Sequence, residues 1–181
     1  MSEKSDFQDV YYYMDQLQDL CKELPLKYQQ RLPYELLSDL AKTLLNPTIF
    51  EIVQGLQEIQ HGNESKLFDA RVQLQSKQRT EKQKLSAAIK EFLLENSHKP
   101  HEVKRLQVKF QQRKDRLNGR QKEELARYDM QIVSQLDQKV RDQQITLEKA
   151  GVPGFFVTDN PVDIQIQIYL LGFIAKLQKI H

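Results

Sequence analysis

The chain holds one cysteine, Cys21, so no intramolecular disulfide can form and a reducing compartment suits it. Glycine and proline are scarce, at six each in 181 residues, which leaves little material for a loop-rich or hairpin-rich β fold. No apolar run approaches the ~20 residues that a membrane span requires. The N-terminus, "MSEKSDFQDVYYYMDQ", is too acidic and polar for a signal or transit peptide. Apolar residues are 39% of the chain against 29% charged, a thin-core balance that favours long exposed helices over a compact enzyme. The expected class is a soluble intracellular protein, nuclear or cytoplasmic.

What is present is charge, unevenly placed. Residues 1–60 carry five Lys/Arg against ten Asp/Glu, a net of −5. Residues 76–127 carry fifteen against seven, a net of +8, so the whole-chain value of +2 conceals an acidic start and a basic middle.

The apolar residues recur with helical spacing. Phe7, Val10, Met14, Leu17, Cys21 and Leu24 form a stripe that Pro25 ends. A shorter helix starts at Pro33, with Leu36, Leu37, Leu40, Leu44 and Leu45 on a broad face. Asn46-Pro47 caps and opens the next one. A helical pattern then runs to about Asn96, with a candidate kink at Gly62, and "NSHKP" interrupts it because proline disfavours a helical residue before it. A further pattern runs from about Pro100 to Ala150. An antiparallel coiled-coil hairpin with its turn near 96–100 covers both stripes economically, and a parallel dimer of the long helices is the alternative.

"EKAGVPGFFVTDNP" breaks the charged pattern. Gly151 stands where a left-handed residue closes a helix, and Pro153 and Gly154 prevent its continuation. Phe155 and Phe156 are expected to fold back on a core, and Pro161 opens the last helix. Within that helix "DIQIQIYLL" alternates like a strand, but at a period of 3.6 Ile166, Leu170, Phe173, Ile174, Leu177 and Ile180 line one face, with Ile164, Ile168 and Leu171 beside it, and helix is preferred. The expected fold is therefore all-α: residues 1–60 as N-terminal helices, 61–150 as a charged coiled-coil hairpin, and 151–181 as an apolar joint and C-terminal helix. The N-terminal helices and the last helix are expected to form a small bundle, and the whole to make one structural unit.

Three long strings, "KELPLKYQQRLPYELLSDLA" (22–41), "FEIVQGLQEIQH" (50–61) and "LDQKVRDQQITLEKAGVPGFFVTDNP" (136–161), are distinctive. Through them the chain resembles the family of the insect gonadal protein and the vertebrate DiGeorge-syndrome critical region protein six, over nearly its whole length. The resemblance implies a gonadal or germline association and, in vertebrates, neural crest development and nuclear localisation. It attaches no activity, cofactor or catalytic residue, so no site residues are carried over.

The residues themselves offer little chemistry. His98 and His101 flank a proline with no cysteine near, which reads as an exposed turn, not a metal site. His61 reads as a helix-face residue, Cys21 as a buried thiol on an apolar stripe, and "GVPG" lacks the Lys and Ser/Thr of a phosphate loop. No enzyme, cofactor or metal is expected. The basic segment is the one candidate for an anionic partner: Lys109, Arg113, Arg116 and Arg120 share a helix face, where clustered cations would bind phosphate by counterion release. A solvated coiled-coil face explains them more simply. The functional expectation is a helical protein-interaction or scaffold protein, with possible self-association between acidic start and basic middle; the alternative is a nucleic-acid-associated nuclear factor using residues 76–127.

Overall fold

The computed structural model describes residues 2–180, and every regular element in that span is a helix. The elements are α1 (Ser2–Lys22), α2 (Leu26–Gln29), α3 (Tyr34–Thr43), α4 (Pro47–Glu95), α5 (Pro100–Lys149) and α6 (Pro161–Ile180). The chain divides into two compact units, Met1–His61 with Asp137–His181, and Gly62–Leu136.

The first unit is a helical bundle. On α1 the predicted stripe is buried at Met14, Leu17 and Cys21, whereas Phe7 is 66% exposed. The helix stops at a turn in which Leu24 N donates to the Cys21 carbonyl, and Pro25 follows. Proline then opens α2, a single turn too short to show periodicity in the sequence. Its Gln29 side chain donates to the carbonyls of Leu24 at 2.7 Å and Lys22 at 3.1 Å, satisfying groups that the end of α1 leaves open.

Leu37, Leu40 and Ala41 of α3 are buried, and Leu44 just beyond it is too. Leu45 remains 37% exposed, so the predicted apolar face is one residue too broad. The Thr48 N–H donates to Asn46 Oδ1 at 3.1 Å, the cap that begins α4. α3 and α6 both pack on α1. Leu17, Leu40, Val53, Leu147, Leu170 and Ile174 meet in one core drawn from five segments of the chain. Helix wins over strand for α6 because the bundle buries a 3.6-period face: Ile166, Leu170, Phe173, Ile174 and Leu177 are inside, while Ile168 is 53% exposed and the side chain of Ile180 lies outside the described residues.

The second unit is an antiparallel hairpin of α4 and α5. The helix α4 passes through Gly62 without a break. The turn closes where Asn96 Nδ2 and N both donate to the Phe92 carbonyl, at 2.9 and 3.2 Å. Cross-helix pairs fix the register: Arg71 with Asp129, Gln78 with Gln121, Arg120 with Glu81 and Phe92 with Phe110. As one index climbs the other falls at the same rate, so the two stripes cover each other within one chain.

Two helices alone cannot bury a seam completely. Ile89, Gln78 and Gln121 are the buried residues of this unit, while Leu67, Leu74, Leu85, Leu117 and Leu125 are half-buried. The buried layer is polar: Gln78 Nε2 donates to the Gln121 carbonyl and Gln121 Nε2 to the Gln78 carbonyl, both at 3.0 Å. Such a reciprocal pair forms in one register only, which trades apolar burial for alignment and leaves Gln121 Oε1 buried without a partner. Beside it the Gln121 amide at 3.1 Å, joined by the Arg120 guanidinium, holds the Glu81 carboxyl below the usual range. Arg71 does the same to Asp129, bonding it through two nitrogens at 2.7 and 3.1 Å.

Candidate functional site

The joint between α5 and α6 shows how an irregular apolar stretch becomes an ordered surface. Gly151 takes φ 78° and Gly154 φ 86°, the left-handed region that side chains resist. The Val152 N–H donates back to the Leu147 carbonyl at 3.0 Å, closing α5 over Gly151. At Gly154 a β-carbon would stand 2.7 Å from Leu170 Cδ1, so the Leu170 side chain of α6 packs directly against the backbone there. Phe155 is buried and Phe156 is 44% exposed. The expectation that both rings enter the core thus fails for Phe156, because successive side chains of an extended segment face opposite sides. Pro161 is the first residue of α6, whose cap is Asn160 Oδ1 accepting from Val162 N at 2.9 Å.

Two residues absent from the predicted set hold this joint. Gln144 and Gln167 are 3% and 4% exposed, and their amides are joined by a 2.8 Å hydrogen bond from Gln144 Nε2 to Gln167 Oε1. Gln144 also donates to the Thr158 carbonyl at 3.2 Å and accepts from the Thr158 N–H at 3.3 Å. Gln167 Nε2 donates to the carbonyls of Phe156 at 3.1 Å and Gly154 at 3.4 Å. The carbonyls at 154, 156 and 158 all accept from these two glutamines, so the irregular backbone of the joint is served by two side chains. Their sequence signal is position: Gln144 stands one turn before Leu147 on the α5 stripe, and Gln167 one turn before Leu170 on α6.

Beside the joint, within the same unit, lies a cleft of about 330 Å³ open on one side. Gln57, Gln143, Phe155, Ile168, Leu171 and Gly172 are among its walls. Five of its eleven lining residues are glutamine and none is charged, although 29% of the chain is. Gln143 Nε2 is shut from solvent with no hydrogen-bond partner, a condition that costs about 1–3 kcal/mol. Gly172 sits mid-helix between buried Leu171 and Phe173, and a β-carbon there would touch nothing within 4 Å. Packing does not require glycine, yet glycine in a helix costs about 1 kcal/mol against alanine.

The predicted basic face lies in the hairpin unit. Arg113, Arg116 and Arg120 line one open recess of about 460 Å³ with Glu81, Leu85 and Leu117, while Lys109 lies outside it. The Arg120 charge is committed to Glu81, which leaves an acid inside the basic recess. The opposite character appears nearer the other end of that unit. Phe68, Val72, Met130 and Val133 are 67%, 46%, 72% and 57% exposed. Each of the four directly follows a half-buried residue: Phe68 follows Leu67, Val72 follows Arg71, Met130 follows Asp129 and Val133 follows Ile132. In an antiparallel pair equal phases fall on the same side, so these four make one ridge at one level of the hairpin.

His61, His98 and His101 are exposed, and no group of three His, Cys, Asp or Glu among the described residues is placed to hold a metal. Cys21 is buried, and burial pushes its thiol up, away from the thiolate that reacts. Among the described residues no helix is long and apolar enough to cross a membrane.

Comparison with known proteins bears on the whole of both units. The family model described as "DiGeorge syndrome critical region 6 (DGCR6) protein" matches residues 2–181. Protein DGCR6 of Gallus gallus is 47% identical over 169 residues, spanning 93% of this chain and 84% of the relative. Gonadal protein gdl of Drosophila melanogaster is 39% identical over 173 residues, spanning 94% of this chain and 80% of its own length. No solved structure matches. With a family match over the full helical architecture and relatives this similar, the chain belongs to the DiGeorge syndrome critical region 6 family.

Proposed function

We propose that this chain is a non-enzymatic, soluble intracellular protein with a developmental role, acting by binding protein partners through its helical surfaces. The names of its relatives support the setting: one is a gonadal protein and one belongs to a syndrome critical region, and neither name is that of an enzyme. The observation that carries the binding role is the apolar ridge of Phe68, Val72, Met130 and Val133 on a hairpin whose own seam is only half-buried. A partner helix laid along that flank would bury the ridge and complete the seam, as a third strand does in a bundle. Affinity capture from gonadal tissue tests this. The double variant Phe68→Glu/Met130→Glu is expected to lose partner recovery at least tenfold with unchanged helix content, and undiminished recovery would refute the assignment.

A second reading rests on the recess formed by Arg113, Arg116 and Arg120, whose cations suit a phosphate backbone in a nuclear setting. It predicts retention on DNA or RNA at low salt that vanishes when the three arginines are reversed to Glu. Retention that survives the reversal removes it.

A further inference from the structure

Three features coincide at the cleft beside the joint, and stability explains none of them. One is the buried, unpartnered Gln143 Nε2. Another is Gly172, a helix-interior glycine that leaves the wall open where a side chain would fit. The last is a lining without charge and rich in glutamine. Features that lower stability and gather at one concavity mark a binding surface, since stability is commonly given up where function needs the space.

The lining defines the ligand. An orphaned amide N–H asks for a carbonyl acceptor, and Gln143 is one of the residues that line the cleft. Phe155, Ile168 and Leu171 offer an apolar floor, one aromatic ring and two aliphatic side chains. The absence of charge excludes phosphates, carboxylates and ammonium groups, which would be desolvated without a counterion. At about 330 Å³ and open on one side, the cleft is at the small end for enclosing a free metabolite but suits one side chain with its peptide group. We propose that this cleft takes an extended, uncharged peptide segment of a partner protein, seating one aliphatic side chain on Phe155, Ile168 and Leu171 and pairing a backbone carbonyl with Gln143. This rests on the protein-binding reading and gives it a second surface of defined chemistry.

The test uses the full chain and a stated probe, N-acetyl-Ala-Leu-Ala-amide, followed by NMR. Saturable shifts are expected at the amides of Phe155, Ile168, Leu171 and Gly172 and at the Gln143 side-chain amide. The Ala-Glu-Ala and Ala-Lys-Ala analogues are expected to bind at least tenfold more weakly. Gly172→Leu, which fills the opening, and Gln143→Leu, which removes the donor, are each expected to weaken binding at least tenfold with unchanged circular dichroism. The proposal is overturned by an absence of saturable shifts, by equal binding of the charged tripeptides, or by undiminished binding to Gln143→Leu. Phe68→Glu/Met130→Glu should bind the tripeptide as the natural chain does, so a failure at the cleft is separable from a failure at the hairpin ridge.

Discussion

Gly154→Ala is expected to destabilise the bundle unit by about 3 kcal/mol, and Gly151→Ala by only about 1 kcal/mol. Both glycines sit at positive φ, 86° and 78°, so both substitutions carry the left-handed strain of about 1–2 kcal/mol. They differ in space. At Gly151 the new methyl group meets nothing within 4 Å, whereas at Gly154 it would stand 2.7 Å from Leu170 Cδ1. Leu170 is fully buried, so relieving the overlap means forcing its Cδ1 end into another rotamer against a packed core, or shifting α6 or the joint. Overpacking of that kind adds about 1–3 kcal/mol. Urea denaturation followed by circular dichroism, compared across both variants, gives the result. Equal losses would show that strain alone matters and that Leu170 does not pack closely against Gly154.

Gln144→Leu is expected to cost about 2–4 kcal/mol despite replacing a polar core residue with an apolar one of similar length. The removal orphans three groups at once: Gln167 Oε1 and both the N–H and the carbonyl of Thr158. Each unsatisfied buried group costs about 1–3 kcal/mol, and the joint's partial access to water trims the sum. Gln167→Leu strands the carbonyls of Gly154 and Phe156 in the same way. Because the two residues share one hydrogen bond, the double variant should be less destabilised than the sum of the singles by about 1 kcal/mol. Thermal and urea melts of the three proteins complete the cycle. A stabilised Gln144→Leu would mean that the amide network is dispensable and the joint is held by Phe155 alone.

Both predictions turn on positions of unequal visibility. The glycines announce themselves, since a break in a long charged pattern followed by Gly-x-Pro-Gly has few readings. Gln144 and Gln167 do not, because glutamine recurs throughout α4 and α5, where most copies face water. Only the apolar residue one turn along from each hints that these two are inside. The cleft was invisible for a related reason: its walls come from α4, α5, the joint and α6, which no local window spans. The hairpin ridge is intermediate. Its apolar residues stand in the sequence, but their sharing a flank depends on the register that Gln78 and Gln121 set.

By itself the sequence determined the all-α class, the long helix pair with its turn near residues 96–100, the Asn-capped, proline-first starts of α4 and α6, and the family. Each of these follows from information carried within a few turns: apolar spacing, Asn-Pro and His-Lys-Pro punctuation, and long distinctive strings. Tertiary structure alone decided that Phe155 goes in while Phe156 stays out, that two glutamines out of many become the latch of the joint, and that an uncharged cleft opens beside it. Burial is a property of what lies opposite a residue. The partner that buries Gln144 is 23 residues away in the chain, beyond the reach of any periodicity.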